Sequence, residues 1–199
     1  MRYCVAKTEV KNPTVDSPEW AKAAEGEISV NRWAGYAKAP KTVFKMLRGP
    51  EGLSVLLHTE ETHLRAEVEV QNGEVCEDSC MEFFLKPDNH DVNYFNFEFN
   101  PKGVIHLGIG PGRKGRVHLD ADPARFDIVS IANEGDWTLK FYIPDSFVLE
   151  HFGKISKVCR GNFFKCGDLT DHEHYGVWSE VEVDAPDYHV PDFFGKIEL

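Results

Sequence analysis

The sequence predicts an all-β protein: a single β-sandwich, jelly-roll-like in its connections, with one or two short helices. Several segments alternate apolar and polar residues with the period of two that is typical of half-buried strands. Turn-forming clusters of Gly, Pro, Asn and Asp recur between these segments about every ten residues, as in sandwiches and barrels rather than βαβ proteins. No internal repeat or linker divides the 199 residues, so we expect one domain over residues 1–199.

The first predicted elements are a short helix and two strands. Ser17, Pro18 and Glu19 combine an N-cap residue, proline at the first helical position and an acid in the first turn, which predicts a short helix. The apolar run at 53–57 and the alternating segment at 63–70 predict strands.

Three later segments predict the strands that build the core. Residues 79–86, 93–100 and 137–143 each alternate large apolar residues with other residues. The residues expected to face the core are Met81, Phe83, Leu85, Phe95, Phe97, Phe99, Trp137, Leu139, Phe141 and Ile143. Pro144 ends the last of these strands because proline cannot continue the ladder, and one or two helical turns fit residues 145–152.

Charge and hydropathy limit the partners and the compartment. The net charge of -11, from 33 acidic and 22 basic residues, argues against a nucleic acid or an anionic membrane as partner, because both would be repelled. Residues 1–7 lack the apolar stretch of a secretory signal. We therefore expect a soluble protein that is cytoplasmic as the sequence stands, or extracellular if a leader has been processed. The oligomeric state stays open.

Five cysteines, at positions 4, 76, 80, 159 and 166, form an odd number without C-x-x-C spacing. This pattern is typical neither of a disulfide framework nor of a standard zinc site. We expect free thiols, with a bridge between Cys159 and Cys166 as the alternative.

The two central strands predict a polar and aromatic surface opposite their phenylalanines. If they pair as antiparallel neighbours, Glu82, Phe84, Tyr94, Asn96 and Glu98 lie on one sheet face. An aromatic ring can stack on the C–H face of a sugar while carboxylate and amide groups bind its hydroxyls. The pattern favours a saccharide ligand, with an ordinary solvated sheet face as the alternative.

The C-terminal segment holds a second concentration of candidate side chains. Pro186 and Pro191 flank Tyr188 and His189 and stiffen an extended backbone, so these rings can be presented at little entropic cost. The alternative is that Tyr188 and its aromatic neighbours only cover an open end of the sandwich.

Metal binding and catalysis are alternatives that the sequence leaves open. Nitrogen and oxygen donors for a transition ion are concentrated near the C-terminus, at Asp168, Asp171, His172, His174 and His189. The loop carboxylates that suit calcium are Asp120, Asp122 and Asp127. A cysteine nucleophile would pair Cys166 with His172 or His174, and a glycosidase would need two suitably spaced acids.

With these residues laid out, the chain resembles proteins similar to family 9 carbohydrate-binding modules, which are best known as ancillary sugar-binding domains of xylanases. The resemblance runs from about position 33 to the end of the chain. The motifs that carry it are D-S-C-M-E-F-F at 78–84, the strand at 94–100, Trp137 with Ile143-Pro144, N-F-F-K-C-G at 162–167, His174-Tyr175 with Trp178, and residues 186–195.

The resemblance implies a β-sandwich that holds a glycan end between aromatic rings, with polar groups on its hydroxyls and calcium ions in structural positions. By position it implies Glu82 as the carboxylate, Asn96 as the facing polar residue and Tyr188 as the aromatic ring. The chain departs from the family pattern at Val75, where binders place a tryptophan, and at Glu98, where they use a basic residue.

We therefore predict non-catalytic binding of a glycan end or small saccharide, including xylan-type glycans. The predicted binding residues are Glu82, Asn96 and Tyr188, with Trp178 and Arg65 as candidates to replace the missing ring and base. The sequence identifies no definite cofactor, and structural calcium is compatible with this interpretation. The alternative function is a glycoside hydrolase-type or metal-dependent glycan-processing enzyme that uses the acids and histidines of the same cleft.

Overall fold

The computed structural model describes residues 1–199 and contains two β-sheets packed face to face. In chain order the strands are β1 (Arg2–Cys4), β2 (Ala6–Lys7), β3 (Gly26–Ile28), β4 (Lys41–Arg48), β5 (Gly52–Glu60), β6 (Cys80–Lys86), β7 (Tyr94–Phe99), β8 (Ile105–Gly110), β9 (Val117–His118), β10 (Val129–Asn133), β11 (Asp136–Pro144), β12 (Val158–Gly167), β13 (His174–Val177) and β14 (Gly195–Glu198). The two α-helices are α1 (Pro123–Phe126) and α2 (Asp145–Phe152). Single 3₁₀ turns occupy Pro18–Lys22, Val75–Glu77 and Pro191–Phe193.

The strands divide between an eight-stranded and a six-stranded sheet. The first has the order β1-β14-β12-β6-β7-β8-β9, with β13 also paired to β12. The second has the order β10-β11-β5-β4-β2, with β3 also paired to β4. The predicted fold class, an all-β sandwich with short helices, is confirmed.

The main core lies between the two sheets and contains 28 buried hydrophobic residues. All ten residues predicted to face the core belong to it. At its centre Phe163 of β12 stacks on Phe44 and Phe83, with ring centroids 3.7 and 4.3 Å apart. We call the face that carries Phe83, Phe97 and Phe163 the inner face of the eight-stranded sheet. The outer face is the opposite face, which carries the alternate residues of the same strands.

The outer face differs from the prediction of a solvent-exposed surface. Every residue of β6 from Cys80 to Leu85 and every residue of β7 is buried. A second hydrophobic cluster of 12 buried residues covers this face, and it includes Phe84, Tyr94, Tyr188 and Phe194. The covering chain comes from the segment between β3 and β4, the long segment between β5 and β6 and the segment between β13 and β14, so β7 is enclosed on both sides rather than half-buried.

The predicted strand at 63–70 is wrong. Residues 61–79 contain no strand, and Val70 is largely exposed. The backbone N–H groups of Glu67 and Val68 donate to the Asp78 carboxylate, each at 2.9 Å. A buried side chain therefore satisfies backbone groups that a strand would pair with a neighbouring strand.

The other local predictions agree with the structure. The helix near Ser17 is the 3₁₀ turn Pro18–Lys22, and α2 begins directly after Pro144, the last residue of β11. All five cysteines are free thiols, so the alternative bridge between Cys159 and Cys166 is absent. None of the helices has the length and apolar composition needed to cross a bilayer.

Candidate functional site

A cavity of about 280 Å³ opens on the outer face of the eight-stranded sheet. Strands β6, β7, β8 and β12 supply its floor, and its walls come from the segments between β5 and β6, between β8 and β9, and between β12 and β14. The residues that line it are Glu74, Cys76, Glu82, Glu98, His106, Arg113, Cys166, Asp168, Tyr175, Pro186, Tyr188 and His189. Four of these twelve residues are acids and one is an arginine, so the cavity is rich in carboxylates.

Two glutamates form the centre of the cavity floor. Glu82 of β6 lies directly opposite Glu98 of β7 in the antiparallel register, and both are more than nine-tenths buried. Burial, followed by the charge of Glu98, raises the pKa of Glu82 well above its usual value. Burial likewise raises the pKa of Glu98, while the nearby His106 acts in the opposite direction. Because two adjacent buried carboxylates repel one another, the pair favours retention of a proton.

Thiols are the hydrogen-bond partners of Glu82. Cys166 of β12 donates from Sγ to Glu82 Oε1 at 3.0 Å, and Cys80 lies 3.8 Å from the same oxygen. No arginine or lysine forms an ion pair with Glu82 or Glu98. The carboxylates of the floor therefore lack the charged partner that a buried acid normally has.

Asp168 and Cys76 extend the acidic surface along one wall. The backbone N–H of Asp168 donates to the Cys76 carbonyl at 2.9 Å, which fixes the end of β12 against the 3₁₀ turn Val75–Glu77. Asp168 Oδ1 is buried without a hydrogen-bond partner, and burial raises the pKa of this carboxyl. The atom is thus a free acceptor beside the cavity.

Asn96 stands behind the floor rather than at its surface. Its Nδ2 donates to Glu98 Oε1 at 2.7 Å, and its Oδ1 accepts from the Arg116 guanidinium. That guanidinium lies over the Tyr94 ring, 4.6 Å from its centroid. Asn96 therefore orients Glu98 and does not line the cavity.

Tyr188 lines the cavity but is not an open platform. It is 7% exposed, and its ring stacks on Phe164 with centroids 4.1 Å apart. Its hydroxyl lies within hydrogen-bond distance of the carbonyls of Lys165 and Gly176, at 3.2 and 3.3 Å. His189 completes this wall; its Nδ1 lies 2.8 Å from the Tyr94 hydroxyl, and burial lowers its pKa to about 3.

A buried lysine lies between two cavity-side residues of β12, but its own side chain does not line the cavity. Lys165 of β12 is fully buried, and its ammonium donates to His174 Nε2 and to the Cys166 carbonyl, both at 2.9 Å. Its Nζ also forms an ion pair with Glu61 Oε2 at 3.0 Å. Because Nε2 accepts the lysine proton, Nδ1 of His174 donates to the His172 carbonyl.

Two of the predicted binding residues lie elsewhere. Trp178 packs in the inner core with Tyr3, Phe44 and Phe163, so it cannot replace the missing platform. Arg65 lies beside the buried Asp78, 3.5 Å from its carboxylate, and does not line the cavity. Of the five predicted residues, the structure brings Glu82 and Tyr188 to the cavity and Asn96 directly behind it.

The histidine-rich metal set is not assembled. His172 and His174 line a different cavity from His189, and both ring nitrogens of His174 have partners. Nor do Cys166 and His174 form a nucleophile–base pair, because Cys166 donates to Glu82 and His174 accepts from Lys165. The sequence placed these residues near each other along the chain, but strands β12 and β13 direct their side chains apart.

The loop carboxylates proposed for calcium do not form an oxygen cage. Asp127 accepts from the Lys140 ammonium at 2.5 Å and from Asn12 at 2.7 Å. Asp122 accepts from the backbone N–H of Ala124 as the N-cap of α1. The only group of three or more possible metal-ligating side chains that converge in the structure is Cys80, Glu82 and Cys166. The acids around α1 therefore do not converge on a common point.

The sequence did not predict that several residues of the cavity belong to one site. These residues include Cys76, Cys166, Asp168 and His106. The alternation of 80–86 does place Cys80 and Glu82 on the same face. No local signal reveals that β12 lies beside β6, with Cys166 directly opposite Cys80.

Comparison with known proteins gives the family. The model of carbohydrate-binding family 9 matches residues 16–199. A crystal structure from Bacteroides uniformis ATCC 8492, of a protein provisionally described as carbohydrate-binding, is 27% identical, covers 99% of this chain and 98% of its own, and superposes with a TM-score of 0.87. No curated relative matches the sequence.

Two further structures share the fold. They are a family 9 carbohydrate-binding module from Caldicellulosiruptor kristjanssonii in complex with cellotriose and the module in complex with glucose. Each is 14% identical and has a TM-score of 0.69. Both comparisons cover 100% of this chain. They cover 93% of the protein chain in the cellotriose complex and 95% of the protein chain in the glucose complex. Because the family model spans nearly the whole sequence, the chain belongs to carbohydrate-binding family 9, and its function is carbohydrate binding.

Proposed function

We propose that the cavity over Glu82 and Glu98 is the saccharide site and that it holds one sugar residue, either a monosaccharide or the end of a glycan. The observation that carries this proposal is the buried glutamate pair at the floor of an open cavity. A volume of about 280 Å³ lies at the lower end of small-molecule sites, which favours a single ring over a longer chain.

The chemistry of the glutamate pair suits hydroxyl groups. A pair that retains one proton offers both a donor and several acceptors, and each sugar hydroxyl needs one of each. Asn96 holds Glu98 in place, so the floor is ordered before a ligand arrives. Such ordering lowers the entropic cost of binding.

The walls supply contact for the rest of a sugar ring. Tyr188, Tyr175 and His189 line one side, and Arg113 lies at the mouth with an exposed guanidinium. Val75 is fully buried in the second cluster, so the tryptophan position of the family's binders contributes packing here instead of an exposed ring. The polar floor therefore carries more of the binding in this proposal than ring stacking does.

Calorimetric titration with glucose and cellotriose tests the proposal, since relatives of the same fold are known in complex with these two sugars. If one residue is held, the two ligands bind with similar affinity. We expect Glu82→Gln to weaken binding about tenfold, which corresponds to about 1.4 kcal/mol for a hydrogen bond to a polar floor group.

The matched control is Glu69→Gln, an exposed acid outside the cavity that should leave affinity unchanged. If Glu82→Gln and wild type bind equally, the site lies elsewhere. If the folded wild type gives no heat with these sugars, with xylo-oligosaccharides or with other monosaccharides, the proposed cavity does not hold a saccharide.

A further inference from the structure

Beside Glu82, the cavity floor also contains two thiols that the proposed saccharide binding does not use. The side-chain donors of Cys80, Glu82 and Cys166 all lie within 4.8 Å of one another, and all three residues are buried. Glu82 Oε1 is the shared centre, 3.0 Å from Cys166 Sγ and 3.8 Å from Cys80 Sγ.

The sheet register fixes this group in place. Cys80 of β6 lies directly opposite Cys166 of β12, and Glu82 follows two residues along β6 on the same face. Both strands are interior strands of the eight-stranded sheet, with neighbours on either side. Three ligands on rigid, adjacent strands are held close to a common point before any ion arrives.

Two further potential metal ligands lie near this group of three residues, and the cavity connects the group to solvent. Cys76 and Asp168 line the same cavity, and Asp168 Oδ1 is buried without a hydrogen-bond partner. The cavity opens to solvent, so an ion can reach the floor. The excess of carboxylates over Arg113 among the lining residues favours a cationic occupant.

We propose that Cys80, Cys166 and Glu82 form a binding site for a thiophilic divalent cation such as Zn²⁺. Two sulfurs and one carboxylate oxygen match the ligands of Zn²⁺ and Cd²⁺, whereas Ca²⁺ and Mg²⁺ require oxygen donors throughout. On binding, both thiols and the Glu82 carboxyl release the protons they hold to solvent, and the two thiolates and the carboxylate coordinate the ion. A fourth, cavity-side position remains for Asp168 or water, as tetrahedral Zn²⁺ requires.

Cadmium titration of the reduced protein, without sugar, tests the site. We expect about one Cd²⁺ per chain and a thiolate-to-cadmium charge-transfer band in the ultraviolet. Cys80→Ser and Cys166→Ser should each lose part of the band and weaken Zn²⁺ binding, measured by calorimetry, on the order of 100-fold. Cys159→Ser is the matched control, because Cys159 is a buried thiol on the same strand β12 whose hydrogen-bond partners are the backbone carbonyls of Pro87 and Ser156 rather than possible metal ligands.

Glu82→Gln is the second variant in case a serine variant does not fold, because it removes the oxygen ligand and leaves both thiols. It should keep the band and weaken Zn²⁺ binding about tenfold. The absence of a band in wild type, or a band and affinity unchanged in Cys80→Ser and Cys166→Ser, would overturn the proposal. Because the titration contains no sugar, its result is independent of whether the cavity binds a saccharide.

Discussion

The two faces of the eight-stranded sheet are built from alternate residues of the same strands, yet they have opposite chemistry. The inner face packs Phe83, Phe97 and Phe163 against the six-stranded sheet in an apolar core. The outer face buries Glu82 and Glu98 together with aromatic rings beneath loops. Burial alone therefore does not distinguish a packing surface from a binding surface. The distinction depends on whether the buried side chains have partner groups that satisfy them.

The difference arises from what covers each face. A second sheet covers the inner face, and its side chains fill the space because both surfaces are apolar and regular. Irregular segments cover the outer face, and they leave a cavity of about 280 Å³ over the glutamates. Polar groups enclosed in this way keep unsatisfied hydrogen-bonding capacity, which a ligand can satisfy.

The largest effect is expected for the inner face. Phe163→Ala removes the ring that stacks between Phe44 and Phe83, and it should lower the free energy of unfolding by about 3 to 5 kcal/mol in urea titrations. Phe163→Leu should recover much of this loss because it refills most of the volume. A loss below about 1 kcal/mol for Phe163→Ala would mean that this face is not the principal source of stability.

The second largest expected loss of stability follows from removing the buried ion pair between Glu61 and Lys165. Glu61→Gln leaves the Lys165 ammonium buried without its carboxylate and should lower the free energy of unfolding by about 3 kcal/mol. Glu60→Gln is the neighbouring control, since its partner Lys41 is exposed and the pair should contribute nothing measurable. The double variant Glu61→Leu/Lys165→Met should recover much of the loss. If Glu61→Gln were as stable as wild type, His174 and the backbone would suffice to hold the lysine.

The smallest expected effect is that of Glu82→Gln, which should raise the free energy of unfolding instead of lowering it. Burial raises the pKa of Glu82 above the unfolded value of 4.5, so between the two values the native protein holds a proton that the unfolded chain has lost. Stability therefore falls as pH rises through this interval, and the loss is complete above the native pKa. Glu82→Gln avoids this loss and should be more stable than wild type at neutral pH.

Urea titrations at neutral pH and below about pH 4 measure this difference, which should disappear at the lower pH because Glu82 is then protonated in both states. A variant that is less stable than wild type at neutral pH would show that Glu82 supports the fold instead of opposing it. Since the same substitution is expected to weaken sugar binding, the pair of measurements separates stability from function at one residue.

The sequence by itself determined the sandwich and its inner core. A period-two alternation specifies which residues of 79–86, 93–100 and 137–143 share a face, because side chains of a strand point alternately to its two sides. Pro144 likewise determined the end of β11, since proline lacks the N–H that the ladder needs. Glu82 and Asn96 could be assigned to a common face for the same reason.

Only the tertiary structure decided how the outer face of the eight-stranded sheet is covered and which residues meet there. The segment at 63–70 alternates like a strand, but the Asp78 carboxylate takes two of its N–H groups and it folds as a covering loop. Trp178 was assigned to the site by its type and lies in the inner core instead. The pairing of β12 with β6, which brings Cys166 to Glu82, joins residues 84 positions apart. Contacts of this kind depend on strand order, which local periodicity does not encode.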